Sequence, residues 1–580
     1  MKQQQLVGFL AVGLSLSVMV SCSTISLSLG NSPERVHAHL AQRVLPNIQM
    51  GSQLVSDTEA YNTPVPAVIE PALDPNTYPL YGAQPTNDNN IVYIEIYSSA
   101  EKANGARKDE RWLVDVAEAF NQQQQKLPSG QTIQVGVRNI PSGLGAQMLA
   151  AGKGKPAGYS PAHALWLELI KADGLAIDMV HPALVSNQAI LAMHPQVYRS
   201  LAKQGEVSFD RVLDAILSGD LKVGYCNPYI ASPGLNFLYT LLWRSAGHHQ
   251  DGQPLTMADV ESPEVASVFE AFQKQVTLTA PTYLDLKQIW LRDLDAFEVI
   301  VMSYQSYAGL KQQPGFDEIA YVPFGIAETS PLVNFDWTTA TEKAALEQFA
   351  AFATSDTMQT LGEQQGHEQT PYLKQGNFPP MPSGDVLKAS QALWKQRKDG
   401  GRTVYMELVV DTSGSMNEQN RLGAVKEALR FASQQINAGN QVGLITFNGQ
   451  PTRRIHLAPF GEFEKKRLFT AIDQLHANGN TALYDGLAVG LESLLAKQKL
   501  DPDGKFYLLL LTDGERTQGL KFNQIKGIIE ASGVRIYPIA YGDIDQQELE
   551  AIAEIRESTV YQGTPEKVQV LLKNLFQTSL

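Results

Sequence analysis

Cysteine is nearly absent from this chain of 580 residues, which has only Cys22 and Cys226. Two cysteines are too few for a disulfide framework, a four-cysteine zinc site or a cysteine-ligated iron–sulfur cluster. Cys226 follows the apolar stretch Leu221 to Tyr225, so we interpret it as a small buried hydrophobic residue. Stability must therefore come from packed cores.

An excess of positive charge is also missing, because 46 Lys and Arg stand against 60 Asp and Glu, a net charge of −14. Binding to a nucleic-acid backbone requires a basic surface, so we exclude nucleic acid as a general partner. With 43% hydrophobic and 18% charged residues, the composition is that of a globular protein. The length allows three or four domains of roughly 150 residues.

Familiar catalytic motifs are absent as well. The sequence has no phosphate-binding loop, no His-Glu-x-x-His zinc motif and no Gly-x-Ser-x-Gly nucleophile motif. A metal-dependent hydrolase is the enzymatic alternative, but no general base or nucleophile accompanies the candidate metal ligands described below. We therefore expect a protein that is not an enzyme.

The one long apolar run, Leu6 to Val20, follows Lys2 at the N-terminus, a layout typical of an export signal and too short for a comfortable membrane span. A small residue before Cys22 resembles a bacterial lipoprotein cleavage site, although Met19 stands where leucine is usual. We predict a lipoprotein-type signal peptide at residues 1–22, lipidation of Cys22, and a location in the cell envelope, on the periplasmic or cell-surface side of a membrane. An ordinary signal peptide or an uncleaved anchor is the alternative, and either would export the protein.

Two proline-rich stretches divide the remaining chain. Residues 23–90 are predicted to be a tether, because proline fixes φ and lacks an N–H donor; the alternative is a loop packed on the next domain. Residues 377–399, with a predicted helix at Val386–Lys398, are predicted to link the two main domains. These domains, residues 91–376 and 400–580, alternate short apolar runs with amphipathic helices, a pattern typical of parallel α/β sheets.

The sharpest motif follows an apolar strand predicted at Thr403–Val410. This strand runs into Asp411-Thr412-Ser413-Gly414-Ser415, the strand Leu508–Thr512 runs into Asp513, and Thr481 lies in a loop between them. Because the carboxyl ends of parallel strands share one edge of a sheet, these loops are expected to converge. Hydroxyl and carboxylate oxygens are the donors that a hard divalent cation prefers.

In order and spacing, this motif resembles the metal-ion-dependent adhesion site of von Willebrand factor A domains, over residues 400–580. The resemblance implies a Rossmann-like sheet, a Mg²⁺ or Mn²⁺ ion, and a protein partner whose acidic side chain completes the metal shell. It implies direct ligation by Ser413 and Ser415, ligation by Thr481 in the ligand-engaged state, and direct or water-mediated roles for Asp411 and Asp513. Hydroxyls that merely cap helices, or a domain that has lost its metal, are the alternatives.

A second polar feature lies in the same domain. Gly449 to Arg454, with His456, is predicted to form a polar loop after the strand Gln441–Phe447. Arg453 and Arg454 could steer an acidic partner toward the domain. The alternative is that both are solvated surface charges.

In the first domain, small hydroxyl residues cluster at predicted strand ends and helix starts. Ser98 and Ser99 end the first strand, Ser142 follows the second, Ser232 precedes a helix, and Tyr304 follows a later strand. Free N–H groups and helix N-termini at such places attract carboxylates and other oxyanions.

This arrangement resembles the type 2 periplasmic solute-binding proteins over Ile91–Leu373, although Gln365-Gly366-His367-Glu368 departs from the sequence often seen there. The resemblance implies two lobes that close on a small-molecule solute by hinge motion. It makes Ser98, Ser99, Ser142, Ser232 and Tyr304 ligand candidates. Each one alone could instead be a cap or turn residue, and the cleft as a whole could have become a protein-docking surface.

Taken together, the sequence predicts an α/β protein with a two-lobed periplasmic-binding-protein-like domain followed by a Rossmann-like von Willebrand factor A domain. We expect an exported, lipid-anchored binding or adhesion protein that uses a divalent metal to hold an acidic group of a protein partner, with a solute-binding-like sensor domain. The alternative is the solute-binding component of a membrane transport system. A cytoplasmic metal-chelatase subunit, which also uses such a domain, is disfavoured by the export signal.

Overall fold

The computed structural model describes residues 32–67, 69, 73–367, 378–514, 516–542, 546–555 and 560–580. These residues form two compact units. The C-terminal unit is drawn from Met1–Ala72 and Arg402–Leu580, and the central unit from Leu73–Gly401. No helix within the described ranges is long and apolar enough to cross a membrane. The predicted signal peptide, including Cys22, lies outside the described residues.

The strands are numbered in chain order. Their bounds are β1 Gly51–Ser52, β2 Leu80–Gly82, β3 Ile91–Ser98, β4 Thr132–Asn139, β5 Gly158–Ser160, β6 Ile177–His181, β7 Asn187–Met193, β8 Val223–Cys226, β9 Val276–Ala280, β10 Val299–Ser303, β11 Ala320–Glu328, β12 Leu332–Phe335, β13 Val404–Asp411, β14 Gln441–Phe447, β15 Pro451–Pro459, β16 Lys505–Thr512, β17 Arg535–Tyr541 and β18 Tyr561–Gly563.

The α-helices are numbered in the same way. Their bounds are α1 Pro33–His39, α2 Asp57–Asn62, α3 Ala100–Ala103, α4 Trp112–Gln122, α5 Ser142–Ala150, α6 Leu165–Ala172, α7 Pro195–Ala202, α8 Phe209–Leu217, α9 Ser232–Ser245, α10 Met257–Val260, α11 Pro263–Lys274, α12 Tyr283–Arg292, α13 Tyr304–Leu310, α14 Ala340–Ala353, α15 Asp356–Gln364, α16 Gly384–Arg397, α17 Arg421–Ala432, α18 Glu462–Asp473, α19 Leu483–Gln498, α20 Phe522–Ser532, α21 Gln547–Ile555 and α22 Val568–Ser579.

The central unit contains two separate sheets, which form its two lobes. The first has the strand order β2-β4-β3-β5-β12-β6 and the second β11-β7-β10-β8-β9. Each sheet has its own apolar core, with Trp112 and Phe120 in the first and Trp290 and Phe316 in the second. Cys226, at the end of β8, is fully buried, as predicted. The two-lobed α/β architecture is confirmed.

The C-terminal unit has one sheet with the order β1-β15-β14-β13-β16-β17-β18. Strands β14, β13, β16, β17 and β18 pair in parallel, and β15 runs antiparallel to β14. Alternate residues of β13 enter opposite cores, Met406 and Leu408 on one face and Tyr405 and Val409 on the other. Because both faces are covered by helices, the central strands are mainly apolar, as in other parallel sheets, and Glu407 in β13 is a buried exception.

The predicted tether differs from the structure over the described part of residues 23–90. Val36 and Leu40, in and just after α1, are fully buried in the core that contains Leu487. Strand β1 pairs with β15, and α2 begins with a capping box between Ser56 and Glu59. The prediction missed this segment because each element is short and buries few residues, so helical periodicity is weak.

The predicted linker at residues 377–399 also differs from the structure in its described part. Helix α16 begins after Ser383, whose side chain caps it, and buries Trp394 completely. The indole Nε1 of Trp394 donates to the hydroxyl of Tyr225 (2.6 Å). This helix therefore completes the central unit, and its burial depends on partners that are remote in sequence.

The polar stretch from Gly449 is another difference. Pro451–Pro459 forms β15, which pairs with β14 from Thr446↔Thr452 onward and places Arg453 and Arg454 on a strand instead of a loop. Polar and charged residues are usual on strands near a sheet edge, where only one face is covered, so composition alone favoured a loop.

Candidate metal centre and solute cleft

The motif residues of the C-terminal unit meet at one end of its sheet. Strands β13 and β16 are parallel neighbours in the register Val410↔Leu511, so Asp411 and Asp513 follow adjacent strand ends. The loop that carries Thr481 is joined to the first loop by two backbone hydrogen bonds, Gly414 N to Gly479 O (3.0 Å) and Asn478 N to Thr412 O (2.9 Å). The predicted convergence of three loops is present.

Four of the five predicted residues form one connected hydrogen-bond network. Oδ1 of Asp411 accepts from the backbone N–H of Ser413 (2.7 Å). The hydroxyl oxygens of Ser413 and Ser415 lie 3.1 Å apart, and the hydroxyl of Ser415 donates to Oδ1 of Asp513 (2.7 Å). These hydroxyl and carboxylate oxygens are a donor set that suits Mg²⁺ or Mn²⁺.

Thr481 is buried close to this network but is held differently. Its backbone N–H donates to the hydroxyl of Thr517 (2.8 Å), and its carbonyl accepts from the N–H of Thr517 (3.0 Å). Among the described residues, no hydrogen bond joins its side chain to the other four predicted side chains. This loop is therefore anchored through its backbone.

Burial sets the electrostatics of the centre. Asp411 is fully buried, and desolvation raises its pKa to about 6, against the opposing effect of its hydrogen bonds. The second oxygen of Asp411 accepts from the hydroxyl of Thr512 (2.6 Å), a partner that the motif did not predict. A buried carboxylate held by neutral donors favours the approach of a cation.

Arg421 is a second residue that the sequence did not indicate. Its Nη1 donates to Oδ2 of Asp513 (2.9 Å) and lies 3.5 Å from Glu418. Asp513 is thus shared between the hydroxyl of Ser415 and a guanidinium. Residues 421 and 513 are far apart in the chain, and nothing in either local sequence predicts that they meet.

In the central unit, the predicted residues Ser98 and Ser99 are buried beside a lysine. The hydroxyl of Ser98 donates to the carbonyl of Ser160 (3.2 Å). Nζ of Lys102 donates to the same carbonyl (2.8 Å) and to the hydroxyl of Ser99 (3.1 Å). Burial lowers the pKa of Lys102 to about 7, while Glu101 and Glu328 act in the opposite direction.

The predicted residues Ser142 and Ser232 form a second buried pair. Their hydroxyls lie 3.4 Å apart, and the indole Nε1 of Trp166 donates to the hydroxyl of Ser232 (2.9 Å). The backbones approach closely here, since a Cβ at Gly143 would lie 2.0 Å from the carbonyl oxygen of Tyr229. Ser142 and Ser232 are therefore engaged by the protein itself.

Tyr304 belongs to an aromatic cluster. Its ring packs against those of Tyr307 and Tyr321, with centroids 5.6 Å and 5.3 Å away. The structure thus brings the serines together in two buried pairs and places Tyr304 in an aromatic cluster at the start of α13.

Glu328 is the acidic group of this cleft that the sequence missed. It is fully buried at the end of β11, and burial raises its pKa to about 8. Its Oε2 accepts from the hydroxyl of Ser303 (2.9 Å). Among the described residues, its Oε1 and the hydroxyl of Ser160 have no hydrogen-bond partner.

Comparison with known families agrees with both architectures. A family model for the von Willebrand factor type A domain matches residues 406–577. A model described as bacterial extracellular solute-binding protein matches residues 107–368.

Individual relatives are more distant. A stretch of 192 residues is 31% identical to calcium-activated chloride channel regulator 1 of Bos taurus, covering 32% of this chain but only 19% of that protein. A solved von Willebrand factor type A structure from Catenulispora acidiphila is 20% identical, with a TM-score of 0.27, and covers 31% of this chain and 43% of its own. A periplasmic thiamin binding protein is 12% identical, with a TM-score of 0.39, and covers 55% of this chain and 99% of its own.

The two family matches fall within the two α/β architectures. They include the five predicted metal residues and Ser142, Ser232 and Tyr304, whereas Ser98 and Ser99 precede the first match. The chain therefore contains a bacterial extracellular solute-binding domain at residues 107–368, followed by a von Willebrand factor type A domain at residues 406–577.

Proposed function

We propose that this protein is a non-enzymatic binding protein whose von Willebrand factor type A domain holds a divalent cation and, through it, an acidic side chain of a protein partner. The solute-binding domain would report the presence of a small molecule. We further propose that the chain is exported and tethered to a membrane through a lipid on Cys22. Both matched families are binding families, which supports a role in recognition.

The observation that carries the proposal is the connected network of Asp411, Ser413, Ser415 and Asp513 at adjacent strand ends. Its oxygens come from two loops that the sheet positions rigidly, as a small cation with strict geometric demands requires. We assign the direct contacts to the hydroxyls of Ser413 and Ser415 and to oxygens of Asp411 and Asp513. We propose that Thr481, whose loop is anchored by its backbone, adds its hydroxyl when a partner binds.

A bound Mg²⁺ or Mn²⁺ ion would supply a coordination position that a carboxylate oxygen of the partner can take. Other residues of the chain fix the orientation of the proposed ligands. Thr512 and the N–H of Ser413 hold the carboxylate of Asp411 in one orientation. The Gly414–Gly479 hydrogen bond keeps the two loops together.

The test is calorimetric titration of Mg²⁺ and Mn²⁺ into the full chain and into Asp411→Ala, followed by titration of a short acidic peptide with and without metal. We expect metal binding and metal-dependent peptide binding by the native chain, and neither by Asp411→Ala. The full chain is needed because α1, β1 and α2 belong to the same unit as the metal centre.

Asp503→Ala is the matched control, since this aspartate is exposed in the turn before β16. It should bind metal like the native chain. Circular dichroism must show that Asp411→Ala is folded. Equal metal affinity of folded Asp411→Ala and the native chain would contradict the proposed metal site. Metal binding that leaves the affinity for the peptide unchanged would contradict the proposed acidic partner.

The solute role is supported by the buried polar groups between the two lobes of the central unit. Lys102 and Glu328 provide one basic and one acidic group, and Glu328 and Ser160 each retain a buried oxygen without a partner in the described residues. A polar solute with both donor and acceptor groups would satisfy such atoms, whose isolation is costly in a protein interior. We therefore add Lys102, Ser160 and Glu328 to the candidate ligands Ser98, Ser99, Ser142, Ser232 and Tyr304.

A further inference from the structure

A polar cavity of about 420 Å³ opens beside β14 and β15 in the C-terminal unit. Its walls come from the ends of these two strands, from Gln53 after β1, and from the stretch between Gln474 and Asn478. The side chains proposed to hold a metal are not among its lining residues. Thr412, which lies between the proposed ligands Asp411 and Ser413, also lines the cavity. The cavity therefore borders the proposed metal centre without including its ligands.

Arg454 lines this cavity and has no acidic partner among the described residues. Its Nε donates to the hydroxyl of Thr446 (3.2 Å), and its Nη1 is buried without a hydrogen bond to any described residue. Burying a guanidinium without a counter-charge is unfavourable, because the charge loses hydration and gains no ion pair. An anion bound in the cavity would remove this imbalance.

The adjacent residue, Arg453, differs from Arg454 because a protein carboxylate lies next to its guanidinium. Its guanidinium lies 3.6 Å from Glu492 and 3.5 Å from Nδ1 of His456. One arginine of the pair therefore has a protein carboxylate as its counter-ion, and the other faces the cavity. Since successive residues of a strand point to opposite faces of a sheet, the two arginines serve different surfaces.

The other residues that line the cavity also favour an anionic ligand. The described residues that line the cavity are polar and include Asn448, Gln450, His476 and Asn478, and none of them is Asp or Glu. Glu59 reaches the edge through Gln474, whose Nε2 donates to it (3.1 Å), but the other oxygen of Glu59 is held by the cap of α2. In a chain with a net charge of −14, a half-buried arginine among neutral donors is a local site for negative charge.

We propose that this cavity binds the oxyanion group, phosphate or carboxylate, of a small molecule, with Arg454 as the charge partner and the amides and hydroxyls of the wall as further donors. Arginine suits this role, because its planar fork can donate two parallel hydrogen bonds to a phosphate or a carboxylate. The size of the cavity leaves room for an organic part beyond the anionic group.

The experiment is calorimetric titration of inorganic phosphate, and separately of succinate, into the full chain in EDTA at constant ionic strength. EDTA removes any metal, so the proposed metal centre does not contribute. The native chain, Arg454→Gln and Arg453→Gln are compared. We expect at least one anion to bind the native chain, Arg454→Gln to weaken that binding by about tenfold or more, and Arg453→Gln to change it by less than about twofold.

Binding of phosphate alone would identify a phosphate site, and binding of succinate alone a carboxylate site. The proposal is overturned if neither anion binds at millimolar concentration, if Arg454→Gln binds like the native chain, or if both variants weaken binding equally. Thermal denaturation without anion separates lost binding from lost folding, because Arg454→Gln removes an unpaired buried charge and should leave the midpoint unchanged or higher.

Discussion

The two units use hydroxyl and carboxyl groups in opposite ways. In the C-terminal unit, Ser413, Ser415 and Asp513 lie in loops at the edge of a sheet, and a basic side chain, Arg421, already balances one carboxylate. In the central unit, Ser142, Ser232 and Glu328 lie deep between two sheets, where each is held by protein groups or by none. The same residue types thus form a connected network at adjacent strand ends in one unit and separate buried groups between two sheets in the other.

This contrast shows why a short motif can identify one site and not the other. Three residues of the proposed metal centre, Asp411, Ser413 and Ser415, lie within one five-residue stretch, so their relative placement follows from one strand end and one turn. The cleft is assembled from segments spread between Ser98 and Glu328, so its chemistry depends on how the two lobes meet. Substitutions should therefore affect mainly stability in the cleft and mainly ligand binding at the sheet edge.

The largest effect is expected for Trp166→Ala in the central unit. Trp166 is almost completely buried and donates to Ser232, so the substitution removes a large apolar volume and a buried hydrogen bond. We expect the free energy of unfolding of this unit to fall by about 3–5 kcal/mol. Urea denaturation followed by circular dichroism measures the loss.

Trp166→Phe is the control, because it keeps most of the apolar contact and removes only the donor to Ser232. Trp166→Phe should lower the free energy of unfolding by about 1 kcal/mol for the lost hydrogen bond, and by a smaller amount for the lost packing. A loss below about 1 kcal/mol for Trp166→Ala would mean that the serine pair is not part of a packed interior, and the contrast between the two units would fail.

A smaller effect, which depends on pH, is expected for Glu328→Gln. Burial raises the pKa of Glu328 to about 8, above its ordinary value of 4.5, and Glu101 and Lys102 also face this group. The protonated form is favoured by folding, so its stabilisation is complete below pH 4.5 and is lost as the pH rises through about 8. Since glutamine stays neutral, the variant should be more stable than the native chain by at least about 1 kcal/mol at pH 8, and the difference should shrink toward pH 5.

The measurement is urea denaturation at several pH values between 5 and 9. Glu347→Gln, at an exposed position on α14, is the matched control and should follow the native pH dependence. A native chain that is more stable than Glu328→Gln at pH 8 would show that Glu328 is charged and paired in the cleft, contrary to the buried, neutral state inferred here.

The smallest effect is expected for Arg421→Gln at the sheet edge. Nη1 of Arg421 donates to Oδ2 of Asp513, so the guanidinium competes with any cation for that oxygen. Its removal should tighten Mg²⁺ binding by about tenfold, or about 1.4 kcal/mol, in calorimetric titration of the full chain. Arg421→Lys retains the charge and should stay closer to native affinity. Weaker Mg²⁺ binding in Arg421→Gln would mean that Arg421 positions Asp513 for the metal instead of competing with it.

The fold of both units could be predicted largely from sequence, because apolar strands such as Val404–Asp411 and Ile91–Ser98 carry strong local signals. The segment around α1 and the helix α16 could not, because Val36 and Trp394 are buried by residues hundreds of positions away. Strand β15 has a different reason: it pairs with the preceding strand β14, but its own polar composition does not indicate a strand.

The sequence by itself determined which chemistry is available: the Asp411 motif, the near absence of cysteine, the acidic balance and the two α/β patterns. Only the tertiary structure decided how each group is used. It paired Asp513 with Arg421, enclosed Lys102 and Glu328 between two lobes, and left Arg454 in a polar cavity without a counter-ion. The physical reason is that hydration, charge pairing and burial depend on neighbours in space, which a local sequence pattern does not specify.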